Sequence, residues 1–276
     1  MTNSLPFPSE VSARGFTFAA RHLDPGGTSL KLRLGAAVLS AALISTTAFT
    51  TAAPATAGPG TDVTPPEVGT CHDLTWEEYY AKFEPEAAID CATRHTSLTV
   101  RVTQYESVPD DWGQVITDDY TPCLKDAVTA TGGDAAQYQM TSYSITFYRP
   151  TRAQQQAGAA WLRCDVVLRG GHETLAPIPQ DVVLTGLRPP ANVRKCRLGS
   201  AADYELTVCT RRHKYVAYTT AHMRDDRYPG ERAAKRFAGR KCNDLIGGAP
   251  FVYEWVPNKF YWRAGLRNAV CLPLDD

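Results

Sequence analysis

Ten residues in this chain combine type and spacing in a way that invites chemistry: eight cysteines and two histidines. Cys91-Ala-Thr-Arg-His95 and Cys209-Thr-Arg-Arg-His213 each set an imidazole four positions after a sulfur, a C-x3-H in either half. Zinc takes Cys and His together, but only as thiolates, so the cysteines would have to stay reduced. A Cys–His dyad makes a nucleophile when the base sits beside a free thiol. A disulfide uses up the cysteines and leaves each imidazole to hydrogen-bond backbone. The redox compartment decides among the three. Lys31 and Arg33 precede the apolar run Leu34–Ile44, and Ala55-Thr56-Ala57 has the small-x-small form of a cleavage site, so residues 1–57 read as an N-terminal extension with a secretory signal. The apolar run falls short of the roughly 20 residues that span a bilayer. All of Cys71, Cys91, Cys123, Cys164, Cys196, Cys209, Cys242 and Cys271 follow it. An even cysteine count in an exported chain implies disulfides, so neither metal nor cofactor is expected, and each histidine should hydrogen-bond backbone at the entry to a strand.

Other chemistry is thinner. Glu77 and Glu78 suggest a glycosidase pair, but neighbours on a helix point apart and cannot flank one bond. No G-x-S-x-G, H-E-x-x-H, phosphate loop or dinucleotide fingerprint occurs. Charge is more informative. The whole chain is neutral, yet residues 59–180 hold 8 Lys+Arg against 17 Asp+Glu, and residues 182–276 hold 17 against 9. The opposite signs suit docking of one half on the other, or a basic half that grips an anionic wall polymer or lipid headgroups. Arg224, Arg227, Arg232, Lys235, Arg236, Arg240 and Lys241 would form a cationic ridge. Nucleic acid would suit such a ridge too, but export argues against it. Trp262 and Tyr261 belong to an aromatic group that would either fill core or offer a row for stacking on sugars or a partner.

The elements that must position these residues come in two sets. Leu98–Tyr105, Tyr143–Tyr148 and Trp161–Leu168 alternate apolar and polar, as do Tyr204–Cys209, Tyr215–His222, Phe251–Val256 and Asn268–Leu272, a pattern of half-buried strands. Glu231–Ile246 has a helical apolar face of Ala234, Phe237, Ala238, Cys242 and Leu245, stopped by Gly247-Gly248. Asp110–Ala130 is its counterpart, though Pro122 should kink or split it. The Thr75-Trp76-Glu77-Glu78 run starts a short helix with a capping box. His95 to Cys123 spans 28 positions and His213 to Cys242 spans 29; Pro150 and Pro257 each stand fourteen before the last cysteine of their half, and Gly158 falls on Gly265. These matches read as duplication. The expected fold is α+β: two tandem disulfide-stapled modules at 67–187 and 188–276, after a linker at 58–66, each an antiparallel sheet with one main helix (β-β-α-β-β). The stretch 186–193 would link them. Of the three pairings that four cysteines per module allow, Cys71–Cys91, Cys123–Cys164, Cys196–Cys209 and Cys242–Cys271 are favoured.

Val68-Gly69-Thr70-Cys71, Cys91-x3-His95, Pro150 and Trp161-x-x-Cys164-Asp165 resemble the septum formation-related domain of actinobacterial envelope proteins. The second half carries the pattern through Cys209-x3-His213, Tyr228-Pro229-Gly230, Cys242, Pro257, Trp262-x-Ala-Gly265-x-Arg267 and Cys271. Gln155 and Ala160 stand where the second half has Trp262 and Arg267. The resemblance implies a link to cell division and supplies no chemistry. The expected protein is a secreted, non-catalytic envelope protein that binds an anionic wall polymer or a protein partner; the alternative is an envelope hydrolase with scattered carboxylates.

Overall fold

The computed structural model describes residues 62–83, 87–180, 184, 186–199 and 205–275. The export signal read at residues 31–57 lies outside them. The first half contains β1 (Cys71–His72), α1 (Trp76–Tyr79), β2 (Ser97–Gln104), α2 (Trp112–Ala130), α3 (Ala135–Gln139), β3 (Tyr143–Tyr148), α4 (Arg152–Gln156), β4 (Trp161–Arg169) and β5 (Leu175–Ala176). Its strands form one antiparallel sheet in the order β1-β2-β4-β3, with β5 on the end of β4. Thr75 caps α1 as its sequence predicts: its hydroxyl accepts from Glu78 N–H, and the Glu78 carboxylate accepts from Thr75 N–H at 2.7 Å. Asp111 starts α2 by accepting from Gly113 and Gln114 N–H. Of the kink or split expected at Pro122, the split does not occur: α2 continues through it as one helix. The carbonyl deprived of its partner belongs to Asp118, an exposed residue where water can substitute.

The second half contains β6 (Lys195–Arg197), β7 (Leu206–Val208), β8 (Tyr215–Val216), β9 (Thr219–His222), α5 (Glu231–Ile246), β10 (Phe251–Glu254), α6 (Lys259–Arg263) and β11 (Asn268–Pro273). Two antiparallel sheets result, β7-β6-β8 and β10-β11-β9. The strand read at Tyr215–His222 is thus divided, because at Ala217-Tyr218 its amides turn from Lys195 to Cys271 for partners. Ala234, Ala238 and Cys242 of α5 are fully buried, and Gly247 ends the helix in the left-handed region at φ 71. Leu245, expected on the buried face, is 50% exposed because the last turn lacks cover. Both Ala-Gly pairs have one purpose: Gly158 (φ +101) and Gly265 (φ +85) reverse the chain after α4 and α6, a conformation that L side chains resist.

Disulfides join Cys71 to Cys91, Cys123 to Cys164, Cys196 to Cys209 and Cys242 to Cys271. The largest apolar cluster includes Cys123, Leu124, Cys164 and Val166 from the first half together with Val193, Val208 and Leu266 from the second. The stretch read as a linker therefore ends inside the core: Val193 is fully buried, and its carbonyl accepts from Ser142 N–H at 2.9 Å. The halves also exchange hydrogen bonds, from Ser142 Oγ to Thr207 O at 2.6 Å and from Gln139 Nε2 to Asn268 O at 2.8 Å. Among the described residues, each ion pair lies within one half. Among the described residues the halves meet through apolar packing and hydrogen bonds.

Candidate functional site

Both repeated histidines hold the turn that precedes a strand. His95 Nδ1 donates to Thr93 O at 2.9 Å, and His213 Nδ1 donates to Arg211 O at 2.7 Å. His213 also meets Asp275 Oδ2 through Nε2 at 2.8 Å. Cys196, Cys209 and His213 place their donor atoms within 4.8 Å of one another, a zinc-like set. The two sulfurs are bonded to each other, however, and zinc takes thiolates. No described cysteine is a free thiol, so neither imidazole has a thiol nucleophile to activate.

A Ser, a His and an Asp do converge, but without access. On β4, Arg163 and Asp165 point to one face, and both are wholly buried. Asp165 accepts from Ser97 Oγ at 2.7 Å and Thr99 Oγ1 at 2.9 Å, and pairs with Arg163 Nε at 3.1 Å. Arg163 lies 4.7 Å over the Tyr148 ring. His72 Nε2 stands 3.4 Å from the Thr70 and Thr99 hydroxyls. Ser97 donates to the carboxylate rather than to an imidazole, and it has no exposed surface for a substrate to reach. The cluster is structural.

A second polar knot ties β10 to β6. Glu254 accepts from Lys195 Nζ at 2.6 Å and from Arg197 Nε at 3.0 Å, with Arg197 Nη2 closing the fork. Burial by itself would raise this carboxyl, but the two cations outweigh it and hold it at about 2. A depressed carboxylate contributes stability above its ordinary value of 4.5 and loses it as pH falls toward about 2. Glu254→Gln should therefore cost about 2 to 3 kcal/mol at neutral pH. Urea midpoints of both proteins should show that gap shrinking by more than half by about pH 3. A gap independent of pH would contradict the assignment.

The cationic residues do reach the surface. Arg224 and Arg227 before α5, and Arg232, Lys235, Arg236, Arg240 and Lys241 on it, are all exposed. Among the described residues none of these seven joins an ion pair. Lys235 lies 4.8 Å over Trp255, which fixes one charge against the sheet. The aromatic surface read at Tyr261 and Trp262 is not a surface. Those residues lie on α6, a short helix that Asn258 caps by accepting from Phe260 and Tyr261 N–H. Trp262 is 3% exposed and packs with Met223, Ala234 and Val256, while Tyr261 leans on the main core and on Tyr120. Arg267 covers the Trp262 ring at 4.7 Å, so the two residues missing from the first half form one stacked pair. There Gln155 instead donates to the Pro150 carbonyl at 2.6 Å.

Two clefts, of about 490 and 470 Å³, flank Ile178–Gln180. His95, Thr131 and Tyr143 border the second, and no carboxylate lines either one. Paired carboxylates across a bound sugar, which a glycosidase requires, are not found there.

Antiparallel sheets, buried ion pairs and four bridges define a disulfide-bonded α+β protein of the kind an oxidising compartment matures. Within that class the chain belongs to the Septum formation family, which it matches over residues 68–271. That family ties it to cell division. Neither a curated protein nor a solved structure matches the chain. Among the described residues no helix is long and apolar enough to cross a membrane.

Proposed function

We propose that the protein is a secreted, non-catalytic component of an actinobacterial-type cell envelope that serves septum formation by binding an anionic wall polymer through α5. The observation that carries this reading is the seven exposed cations on and before α5, none of them in an ion pair among the described residues. A helix with five exposed cations against two exposed carboxylates, Glu231 and Asp244, and backed by a disulfide to β11, is a rigid, net-positive surface that can attract a polyanion without a pocket. The reading includes duplication of one module. In its support, β6, then β8 with β9, then β11 and β10 follow the same order as β1-β2-β4-β3, and the bridges fall at matching places.

Co-sedimentation of the exported protein with purified cell wall across a salt series tests the proposal. Binding should weaken steadily above about 0.1 M salt, where charges about 10 Å apart are screened. The variant Arg232→Glu/Lys235→Glu/Arg236→Glu/Arg240→Glu should lose at least about 100-fold in affinity at low salt, on the order of 1 kcal/mol per cation. Absence of wild-type binding at low salt, or equal binding by the variant, would sink the idea.

A further inference from the structure

We infer that Cys196–Cys209 is a redox-exchangeable bridge, open to thiol–disulfide exchange with a dithiol partner, and that His213 stabilises the thiolate that departs. The inference is independent of wall binding and rests on a difference between two otherwise corresponding bridges. A histidine follows each by four positions, but only in the second half does an imidazole nitrogen lie within 4.8 Å of both sulfurs. Cys71, Cys91 and His95 form no such group among the described residues. His213 is also held differently. Its Nδ1 lies 2.7 Å from the Arg211 carbonyl and its Nε2 2.8 Å from the Asp275 carboxylate, which together fix the ring beside the bridge. His95 Nδ1 faces the Thr93 carbonyl, and among the described residues no carboxylate forms an ion pair with its ring.

The surroundings have the same sense. Arg211, Arg212 and Lys214, all exposed, flank His213 in the chain, whereas the first bridge has Asp90 beside Cys91 and an Arg94–Asp73 pair close by. Cations favour a thiolate over a thiol, and a better leaving thiolate makes its disulfide easier to reduce. Access is one-sided, since Cys209 is partly exposed and Cys196 fully buried. A thiolate of the incoming dithiol attacks Cys209 Sγ, forming a mixed disulfide and expelling Cys196 as a thiolate beside His213. The partner's second thiol, on deprotonation, attacks its own sulfur in that mixed disulfide and releases Cys209. Two electrons and two protons pass to Cys196 and Cys209, and the partner leaves as a disulfide.

The test is a time course with dithiothreitol at neutral pH, quenched by alkylation and read by peptide mass spectrometry for all four bridges. The attacking form of dithiothreitol is its thiolate, so the course is run at high salt, which screens attraction to the basic half. Cys196–Cys209 should open first, about 10-fold faster than Cys71–Cys91. His213→Gln and Asp275→Asn should each bring its rate down toward that of Cys71–Cys91. The buried Cys123–Cys164 and Cys242–Cys271 bridges serve as folding controls, since their early opening marks a variant that has lost its structure. If His213→Gln fails that control, Asp275→Asn and the wild-type order carry the test. A wild-type order in which Cys71–Cys91 opens as fast or faster overturns the inference, as does a folded variant with an unchanged rate.

Discussion

Asp165→Ala should cost the protein about 3 to 5 kcal/mol, enough to remove much of the stability of an ordinary domain. Two strands deliver the cluster it anchors. Thr99 of β2 lies opposite Asp165 of β4 in the register, and Ser97 stands two residues earlier on the same face. Both hydroxyls donate to the carboxylate, and the wholly buried Arg163 guanidinium supplies the counter-charge. Truncation leaves the two hydroxyls without that acceptor and takes the carboxylate from a cation that has no exposed surface. Asp165→Asn keeps the shape and one oxygen but loses the charge, so its cost should fall between wild type and Asp165→Ala. Urea unfolding at pH 7, followed through the buried Trp161, measures both. A loss below about 1 kcal/mol for Asp165→Ala, the range of an exposed ion pair, would show that the cluster does not behave as a buried one.

The alternation at Trp161–Leu168 identified β4, yet it implied a half-buried strand, and the structure buries every residue from Trp161 to Leu168. A period of two says which residues share a face, not whether that face meets water. The second cover comes from Leu74, Tyr148 and Leu175 with α1 leaning on them, residues scattered over a hundred positions. Glu254 was equally hidden, because its partner Lys195 lies 59 positions away. What was legible is local. Each histidine bonds backbone, and the α5 cations follow from helical spacing alone. Tyr261 and Trp262 lie on a helix of five residues, too short for a 3.6-residue period to show. Pro257-Asn258, a proline and a capping residue ahead of Lys259, was the available signal of a helix.

Removing the Cys123–Cys164 bridge, as Cys123→Ala/Cys164→Ala, should cost about 4 kcal/mol in the chain-entropy model, the most of the four. It closes 41 positions, against 29 for Cys242–Cys271, 20 for Cys71–Cys91 and 13 for Cys196–Cys209. Loop length enters as a logarithm, so the shortest should still contribute about 3 kcal/mol. Burial sharpens the contrast. Cys123 and Cys164 lie in the apolar cluster both halves share, and they tie α2 to the middle of the sheet. Replacing both by alanine also leaves a small void among close-packed neighbours. Urea unfolding of the four double-alanine variants should rank them in the order of their loops. A packing-dominated protein would instead separate them by burial, with the bridges of Cys91 and Cys209, the two partly exposed cysteines, nearly without cost. Either ranking makes Cys196–Cys209 among the cheapest to open. A bridge that trades electrons with a partner must open while the rest of the fold persists, and the 13-position loop is where that demand is smallest.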